Sequence, residues 1–456
     1  MKQNHKLIFL WIVLVAFLIL PHLLRIKSGN YTIMGDLSYQ DLYFAKNIQQ
    51  KGFFLYDEIQ QTSYFPHPFH ILLSLFNLEI GARLLPFLLG MLTGVLFFFL
   101  MKEHNEQQAS LLISFIFFIS PAFIYTFVTS TKESLGLFIL IATLYLARFP
   151  NPYFYFSFLL GLLLPFVSLI AAIASIPFLF FFKKTAKESN LIYFIIAASI
   201  LVYLFIPQQP FYLPDYDIFN LFLSDFAGTI GFALFGFVLA VIGFFSLPSK
   251  RNIAISAACL LIIFLLGVFV SHEFNIYMNI LVAFFAGYGF NYLLEREWRL
   301  SFVRDISIFL LICGLLFSAF SFSNRISSSL PNEAVRESML KINEKSLQTE
   351  VVFSHSSRAL WINYFAERRA YPSFFSVEGN TTAEIVKSRN LELTKSLLEK
   401  ENIYFIWLDN EVKENYWERN DEGLLFLLRN HETFKNIYTE NNIKIVRVSY
   451  DGSKTN

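Results

Sequence analysis

The sequence predicts a mostly α-helical membrane protein that ends in a small soluble α/β domain. Of the 456 residues, 55% are hydrophobic and only 16% are charged, whereas soluble domains are about a quarter charged. Apolar runs that approach or reach the roughly 20 residues needed to cross a bilayer recur up to residue 323. The last 132 residues hold 18 of the 36 Lys and Arg and 19 of the 35 Asp and Glu. We therefore predict a transmembrane domain at 1–323 and a soluble domain at 324–456.

The apolar runs predict about eleven transmembrane helices. Their ranges are 7–26, 80–101, 109–128, 134–148, 153–166, 167–182, 190–206, 228–247, 252–270, 276–294 and 306–323. With the N-terminus in the cytoplasm, twelve Lys and Arg residues fall in inner loops and five in outer loops, as the positive-inside rule requires. An odd number of spans then places the C-terminal domain outside. We expect an integral protein of the plasma membrane.

Composition excludes several classes of function. The net charge of +1 gives no basis for nucleic-acid binding. Cys259 and Cys313 lie in apolar runs, so they predict small buried side chains and not a disulfide framework. His67 and His70 are three residues apart, but no third ligand has a suitable spacing. A divalent metal is therefore not indicated by spacing, and the cofactor requirement stays open.

The first outer loop, 27–79, carries the clearest functional pattern. Apolar residues at helical spacing predict an amphipathic helix that starts near Asp36 and stops at Gly52. We expect this helix to lie flat on the outer leaflet. Asp36 or Ser38 would cap its N-terminus, whereas Asp41 would be solvated or paired with Lys46. A short apolar stretch after Pro68 predicts an interfacial segment.

This order of motifs resembles the GT-C superfamily of integral-membrane glycosyltransferases. The first match is an acidic residue after the first span, a tyrosine, and then Ala-x-x-Ile-x-x-x-Gly, with an acidic turn and a Tyr/Pro-rich segment following. The others are a Ser-Pro pair followed by Thr-Lys-Glu, and an Ala-Gly-x-Gly run in a late span. In this chain they are Asp36, Tyr39, Ala45, Ile48, Gly52, Asp57, Tyr64, Pro66, Ser120-Pro121, Thr131-Lys132-Glu133 and Ala286-Gly287-Tyr288-Gly289.

The resemblance implies transfer of a sugar from a polyprenyl-phosphate donor at the outer membrane face, with inversion. It assigns Asp36 as general base and Glu133 as a second acidic group of the catalytic site, orienting acceptor or metal. The predicted substrate-binding residues are Tyr39, Asp57, Arg83, Lys132, His272 and Tyr277. Relatives often carry an arginine near position 272 for the lipid phosphate, and this chain has His272 there. The acceptor is a glycan, a lipid or a protein.

Elementary chemistry supports the role of Asp36 independently. A sugar hydroxyl is a weak nucleophile, and a carboxylate within about 3 Å can take its proton as the new bond forms. The competing interpretation is that Asp36 only caps a helix. Two other classes of function also stay open: a transporter or flippase of lipid-linked sugars, and a non-catalytic membrane scaffold.

The soluble tail is expected to form an α/β domain. We predict strands at 350–353, 402–408, 434–438 and 443–448, with the last two joined in a hairpin at Asn441-Asn442. Predicted helices are 357–368, 382–399 and 423–430. The oligosaccharyltransferase catalytic subunit has a large tail with a Trp-Trp-Asp-Tyr-Gly motif. This chain has only Ile406-Trp407-Leu408-Asp409, which argues against transfer to asparagine.

Overall fold

The chain divides into two compact units. The helical unit consists of Met1–Gly29 and Pro66–Ser329, and the α/β unit consists of Asn30–Phe65 and Leu330–Asn456. The structure, a computed structural model, describes residues 2–53, 56–57, 59–60, 62–150, 152–182, 186–205, 223–226, 230–247, 250–269, 271, 273–374, 379–419 and 421–450. Residues 30–65 of the first outer loop thus belong to the same unit as the C-terminal tail, which was not predicted from the sequence.

The described residues of the helical unit mainly form α-helices. Their numbers follow the order of all helices along the chain. They are α1 (Lys2–Lys27), α3 (Pro68–Ser74), α4 (Leu78–Lys102), α5 (Gln107–Ile119), α6 (Pro121–Val128), α7 (Lys132–Leu146), α8 (Tyr153–Val167), α9 (Leu169–Phe181), α10 (Ala186–Phe205), α11 (Leu234–Phe245), α12 (Lys250–Phe269), α13 (Phe274–Glu295) and α14 (Ser301–Ser327).

Four described helices are long and apolar enough to cross a membrane, by length and composition alone. They are His5–Lys27, Leu78–Lys102, Phe274–Glu295 and Ser301–Ser327. The pair α5 and α6 adds a fifth only if it counts as one bent span. Five further apolar helices are shorter, including α8, α9 and α11. The predicted count of eleven therefore stays a prediction.

One predicted span is interrupted. The run 109–128 forms two helices that meet at 58°, not one straight helix. Ser120 makes the break because it caps α6, accepting a hydrogen bond from Phe123 N at 3.3 Å, and Pro121 then occupies the first helical position. The Ser120 hydroxyl oxygen also accepts a hydrogen bond from Asn279 Nδ2 of α13 at 2.7 Å. This side chain therefore fixes both the bend and its contact with a neighbouring helix.

Glycines allow α11 and α13 to approach until their backbones touch. A Cβ atom on Gly243 would lie 1.8 Å from Phe285 O, and one on Gly289 would lie 2.1 Å from Leu239 O. Gly287 similarly faces Ile113 of α5, where a Cβ would lie 2.3 Å from a side-chain carbon. The Ala-Gly-x-Gly run noted in the sequence is thus a packing motif within this unit.

The α/β unit contains a five-stranded mixed sheet. Its strands are β3 (Val351–Phe353), β4 (Ala370–Tyr371), β5 (Ile403–Leu408), β6 (Phe434–Glu440) and β7 (Ile443–Val448), in the order β4-β3-β5-β7-β6. Strands β4, β3 and β5 are parallel, whereas β7 is antiparallel to both β5 and β6. The predicted hairpin is confirmed, and Asn441 and Asn442 adopt the positive φ angles that such a tight turn needs.

The α/β unit also contains α-helices and two further short strands among its described residues. They are α2 (Asp36–Lys51), β1 (Tyr56–Asp57), β2 (Thr62–Ser63), α15 (Glu333–Lys345), α16 (Ala359–Trp361), α17 (Asn380–Lys387), α18 (Leu391–Lys400), α19 (Asn410–Tyr416) and α20 (Gly423–Leu427). The single helix predicted at 382–399 is wrong, because α17 ends at Lys387 and Asn390 caps a separate helix, α18. The helix predicted at 357–368 continues from α16 as a π turn to Ala366 and stops at Glu367, whose φ is 52°.

The first-loop helix exists but is not a surface helix with one buried stripe. It ends at Gly52, as predicted, with φ at 75°. Ten of its sixteen residues are buried, and its Tyr39 ring packs 5.4 Å from Tyr364 and 5.0 Å from Phe365. Helix α2 is therefore a core element of the α/β unit, which corrects the prediction that it rests on the lipid surface.

Candidate active-site residues

Asp36 is the first residue of α2 but does not cap it. The N-cap position is Gly35, with φ at 83°, and the Ser38 hydroxyl instead donates to Met34 O at 2.6 Å. Neither side chain predicted as a cap therefore has that role. A carboxylate in the first turn still benefits from the helix dipole. The Asp36 side chain is left exposed, so capping does not account for it.

Protein surrounds the Asp36 carboxylate even though solvent reaches it. This desolvation raises its pKa from 3.8 to about 6, and the Glu411 carboxylate adds to the increase. The positive charge of Arg358 acts in the opposite direction. Asp36 is thus mostly ionised at pH 7 and is more basic than an ordinary aspartate, which suits a general base.

Arg358 is held rigidly beside this region by the tail's own side chains. Its Nε donates to Asp409 Oδ2 at 3.0 Å, and its Nη2 is paired with Glu411. The guanidinium carbon also lies 4.5 Å from the centre of the Trp361 ring. Asp409 in turn caps α19 by accepting from Val412 N at 2.7 Å. The arginine is therefore pre-organised, although nothing in the sequence links it to Asp36.

The other predicted residues of the first loop make internal contacts. Tyr39 is buried and its hydroxyl donates to Ile33 O at 2.9 Å. Asp57 is also buried, and its Oδ1 accepts hydrogen bonds from Tyr43 Oη at 2.8 Å and from Ile59 N at 2.9 Å. Both residues hold the loop in shape, and their assignment to substrate binding stays a prediction.

Asp41 differs from what the sequence indicated. It is buried, not solvated, and Lys46 forms its ion pair with Glu367 of the tail.

The helical unit brings two of the predicted site residues together. Glu133, in the first turn of α7, is 1% exposed. It accepts hydrogen bonds from the Tyr277 hydroxyl and from Ser168 Oγ, the latter at 2.7 Å to Oε1. Ser168 also caps α9. Gly136 makes room for this cluster, because a Cβ there would lie 2.9 Å from the Tyr277 hydroxyl.

Basic side chains lie next to this cluster. Lys132 directly precedes Glu133, and His67 and His70 have their ring centres 5.2 Å apart. Burial, and then the positive charge of Lys132 and the nearby His70 ring, keep the pKa of His67 well below its usual value, so the His67 ring is neutral at pH 7. Arg83 is half-buried in α4. His272 lies outside the described residues.

The described part of the chain contains no group of three His, Cys, Asp or Glu side chains arranged to hold a metal ion. Arg358, Trp361 and Ser168 were not predicted as site residues from the sequence. Ser168 had a detectable signal, since it is a polar residue within the long apolar run 153–182. Arg358 had none, because it lies 322 positions after Asp36.

Comparison with known proteins gives a clear structural result. No family model matches the chain, and no curated protein matches it by sequence. The oligosaccharyltransferase AglB from Archaeoglobus fulgidus, solved with an inhibitory peptide and dolichol-phosphate, superimposes with a TM-score of 0.67 at 12% identity. That match covers 99% of this chain and 75% of AglB. The chain has the same fold as AglB.

Two further structures agree. ArnT from Cupriavidus metallidurans, solved with undecaprenyl phosphate, matches with a TM-score of 0.55 at 10% identity, covering 96% of this chain and 98% of ArnT. The Archaeoglobus fulgidus oligosaccharyltransferase tethered to an acceptor peptide matches at 0.63 with 13% identity, covering 89% of this chain and 69% of the other. The resemblance that the motifs indicated is thus confirmed at the level of the fold.

Proposed function

We propose that this protein is an inverting glycosyltransferase that moves a sugar from a polyprenyl-phosphate donor to an acceptor hydroxyl at the outer face of the plasma membrane. The observation that carries the proposal is the Asp36 carboxylate, which is accessible, not used as a cap, and raised in pKa to about 6. The shared fold supports it, because AglB and ArnT were solved with dolichol-phosphate and undecaprenyl phosphate.

The chemistry is a single displacement. The acceptor oxygen attacks the anomeric carbon while Asp36 takes the hydroxyl proton. The bond between that carbon and the phosphate oxygen breaks, and its electron pair leaves with the lipid phosphate. Lys132 and Arg83 are assigned to the phosphate, and Glu133 to acceptor orientation. The apolar helices of the helical unit supply a surface for the lipid tail.

The decisive experiment measures transfer of a radiolabelled sugar from a panel of polyprenyl-phosphate donors by the purified full-length protein. We expect Asp36→Asn to lower the transfer rate about 10²–10⁴-fold, the usual range for a lost general base. Asp305→Asn is the matched control, since Asp305 is an exposed aspartate paired only with its neighbour Arg304 among the contacts described. Full activity in Asp36→Asn would remove Asp36 from the mechanism.

The same preparation separates the rival functions. A flippase would move an intact fluorescent lipid-linked sugar across a proteoliposome membrane without cleaving it. A scaffold would be indifferent to Asp36→Asn in complementation of a deletion strain. Topology is tested by adding protease to intact cells, where we expect the C-terminal domain to be digested. Its protection would reverse the proposed orientation.

A further inference from the structure

The α/β unit contains a polar cavity that the proposed catalytic chemistry does not use. Its volume is about 260 Å³. It is lined by Gln60, Asn363, Arg369, Ala370, Tyr371, Pro372, Ser373, Gly379 and Thr382. Residues from the first loop and from the tail therefore build it together. The volume is below the roughly 300–1,000 Å³ of drug-sized pockets, and it suits a ligand the size of one monosaccharide.

The lining chemistry indicates what kind of ligand fits. Two side-chain amides, a guanidinium, a phenol and two hydroxyls surround the cavity, and no carboxylate is among the described residues that line it. Amides and hydroxyls both donate and accept hydrogen bonds. A ligand rich in hydroxyl groups can satisfy such a mixed set, because each hydroxyl also does both.

Asn363 further restricts the class of ligand that fits the cavity. It is 5% exposed, and its Oδ1 has no hydrogen-bond donor among the described residues. A buried acceptor without a donor is costly, so a ligand that supplies an O–H or N–H group would be favoured here. A carboxylate or a phosphodiester offers only acceptors at pH 7 and would leave Asn363 Oδ1 unsatisfied. A sugar hydroxyl would satisfy it.

The cavity is connected to Asp36 through one short helical segment. Asn363 lies in the π turn that continues from α16, two residues after Trp361. Helix α2, which begins at Asp36, packs against this same segment. A ligand in the cavity would therefore bind to the element that supports the proposed general base.

We propose that this cavity binds one sugar residue of a glycan. This inference rests on the proposed function, and it identifies the acceptor as a carbohydrate and not as a bare lipid or an unglycosylated peptide. The cavity would hold a sugar unit of the acceptor while another of its hydroxyl groups receives the transferred sugar.

Gly379 provides a precise way to close the cavity. It lines the wall, its φ of −81° is accessible to any residue, and a Cβ placed on it meets no atom of the described residues within 4 Å. Gly379→Leu should therefore fill the cavity with little effect on folding. Ser396→Leu is the matched control, because Ser396 is exposed on α18 in the same unit and does not line the cavity.

The test is saturation-transfer NMR on the full-length protein in nanodiscs, titrated with a panel of neutral monosaccharides and their disaccharides and without any lipid donor. We expect at least one sugar to bind, Gly379→Leu to weaken that binding at least tenfold, Asn363→Ala to weaken it several-fold, and Ser396→Leu to leave it unchanged. Equal binding by wild type and Gly379→Leu would overturn the proposal, as would binding of inorganic phosphate or a peptide in place of every sugar.

Asp36→Asn separates the two proposals. It should bind the sugar as the wild type does while losing transfer. If Gly379→Leu abolishes sugar binding, the cavity is upheld as the sugar site. Full activity in Asp36→Asn would then argue only against Asp36 as the base. Unchanged transfer to glycan acceptors in Gly379→Leu would remove the cavity from acceptor recognition.

Discussion

Asp36 and Arg358 form the most informative pair of side chains in the α/β unit. The Asp36 side chain is exposed to solvent, and the guanidinium is fixed by Asp409 and Glu411. Desolvation favours the protonated acid, whereas the arginine favours the carboxylate. The balance between these two effects contributes to the pKa of Asp36, and the charge of Arg358 is one of its determinants.

This balance predicts a shift in the pH profile. The rate of transfer should rise with pH through about 6, as Asp36 loses its proton. Arg358→Gln removes a nearby positive charge, raises the pKa of Asp36 further and should move this rise about one unit to higher pH. Arg358→Lys keeps the charge and should restore most of the wild-type profile.

The control is Arg429→Gln, at an exposed arginine elsewhere in the same unit. A uniform loss of rate in Arg358→Gln, without a change in the shape of the pH profile, would show that the arginine has only a structural role.

The Glu133 cluster gives a second prediction for single residues. Tyr277→Phe removes a hydrogen-bond donor from a carboxylate that is 1% exposed. Hydrogen bonds to charged groups contribute about 1.5–3 kcal/mol, and the loss should appear as a lower melting temperature in detergent. Glu133→Gln in the Tyr277→Phe background should recover part of the lost melting temperature, because the uncharged amide needs fewer hydrogen-bond donors than a carboxylate. Equal melting temperatures in all three proteins would contradict this account.

Individual site residues were only partly predictable from sequence. Glu133 and Tyr277 were proposed from motif resemblance, and they do meet, together with Ser168. The partners of Asp36 were not predictable, because they come from a distant segment and no periodic pattern indicates a contact over 322 positions. The capping role expected for Asp36 failed because Gly35, with its positive φ, already occupies the N-cap.

Among the helices, the crossing of α11 and α13 is the most constrained contact. Gly243→Ala would place a methyl group 1.8 Å from Phe285 O, and backbone atoms cannot move aside cheaply. We expect a loss of several degrees in melting temperature, or a loss of folded protein after extraction. Gly236→Ala lies on the same helix, and its new Cβ would meet its nearest neighbours at 3.7 Å. That control should melt like wild type, and equal destabilisation of both variants would refute the contact.

Strands and helices of the tail show where local sequence is sufficient to predict secondary structure. The alternation and apolar content of β5 and β7 predicted their positions almost to the residue, and Asn441-Asn442 predicted the turn that joins β6 to β7. The short strand β4 was missed, since two residues carry no period. The break between α17 and α18 was also missed, although Asn390 offers the side-chain cap that explains it.

At the scale of the whole molecule, the α/β unit depends on two distant parts of the chain. Residues 30–65 contribute Tyr39, Phe44 and Tyr64 to its core, and Tyr39 packs on Tyr364 and Phe365. Residues 330–456 made alone would expose these aromatic partners. We expect that fragment to bind a hydrophobic dye and to melt without cooperativity.

A fusion of residues 30–65 to 330–456 through a flexible Gly/Ser linker should instead give a cooperative thermal transition with little dye binding. The same fusion with the sequence of 30–65 scrambled is the control for linker and length. If the fragment 330–456 alone melts as cooperatively as the fusion, the two segments do not form one folding unit.

The shared core also sets an order of events during synthesis. The segment 30–65 leaves the ribosome before residues 66–329 have been translated, which takes roughly ten seconds to a minute at about 5–20 residues per second. Throughout that interval its aromatic side chains have no native partner. A nascent chain that stalls within the later helices would therefore expose an unfolded, aggregation-prone loop to chaperones and quality-control proteases.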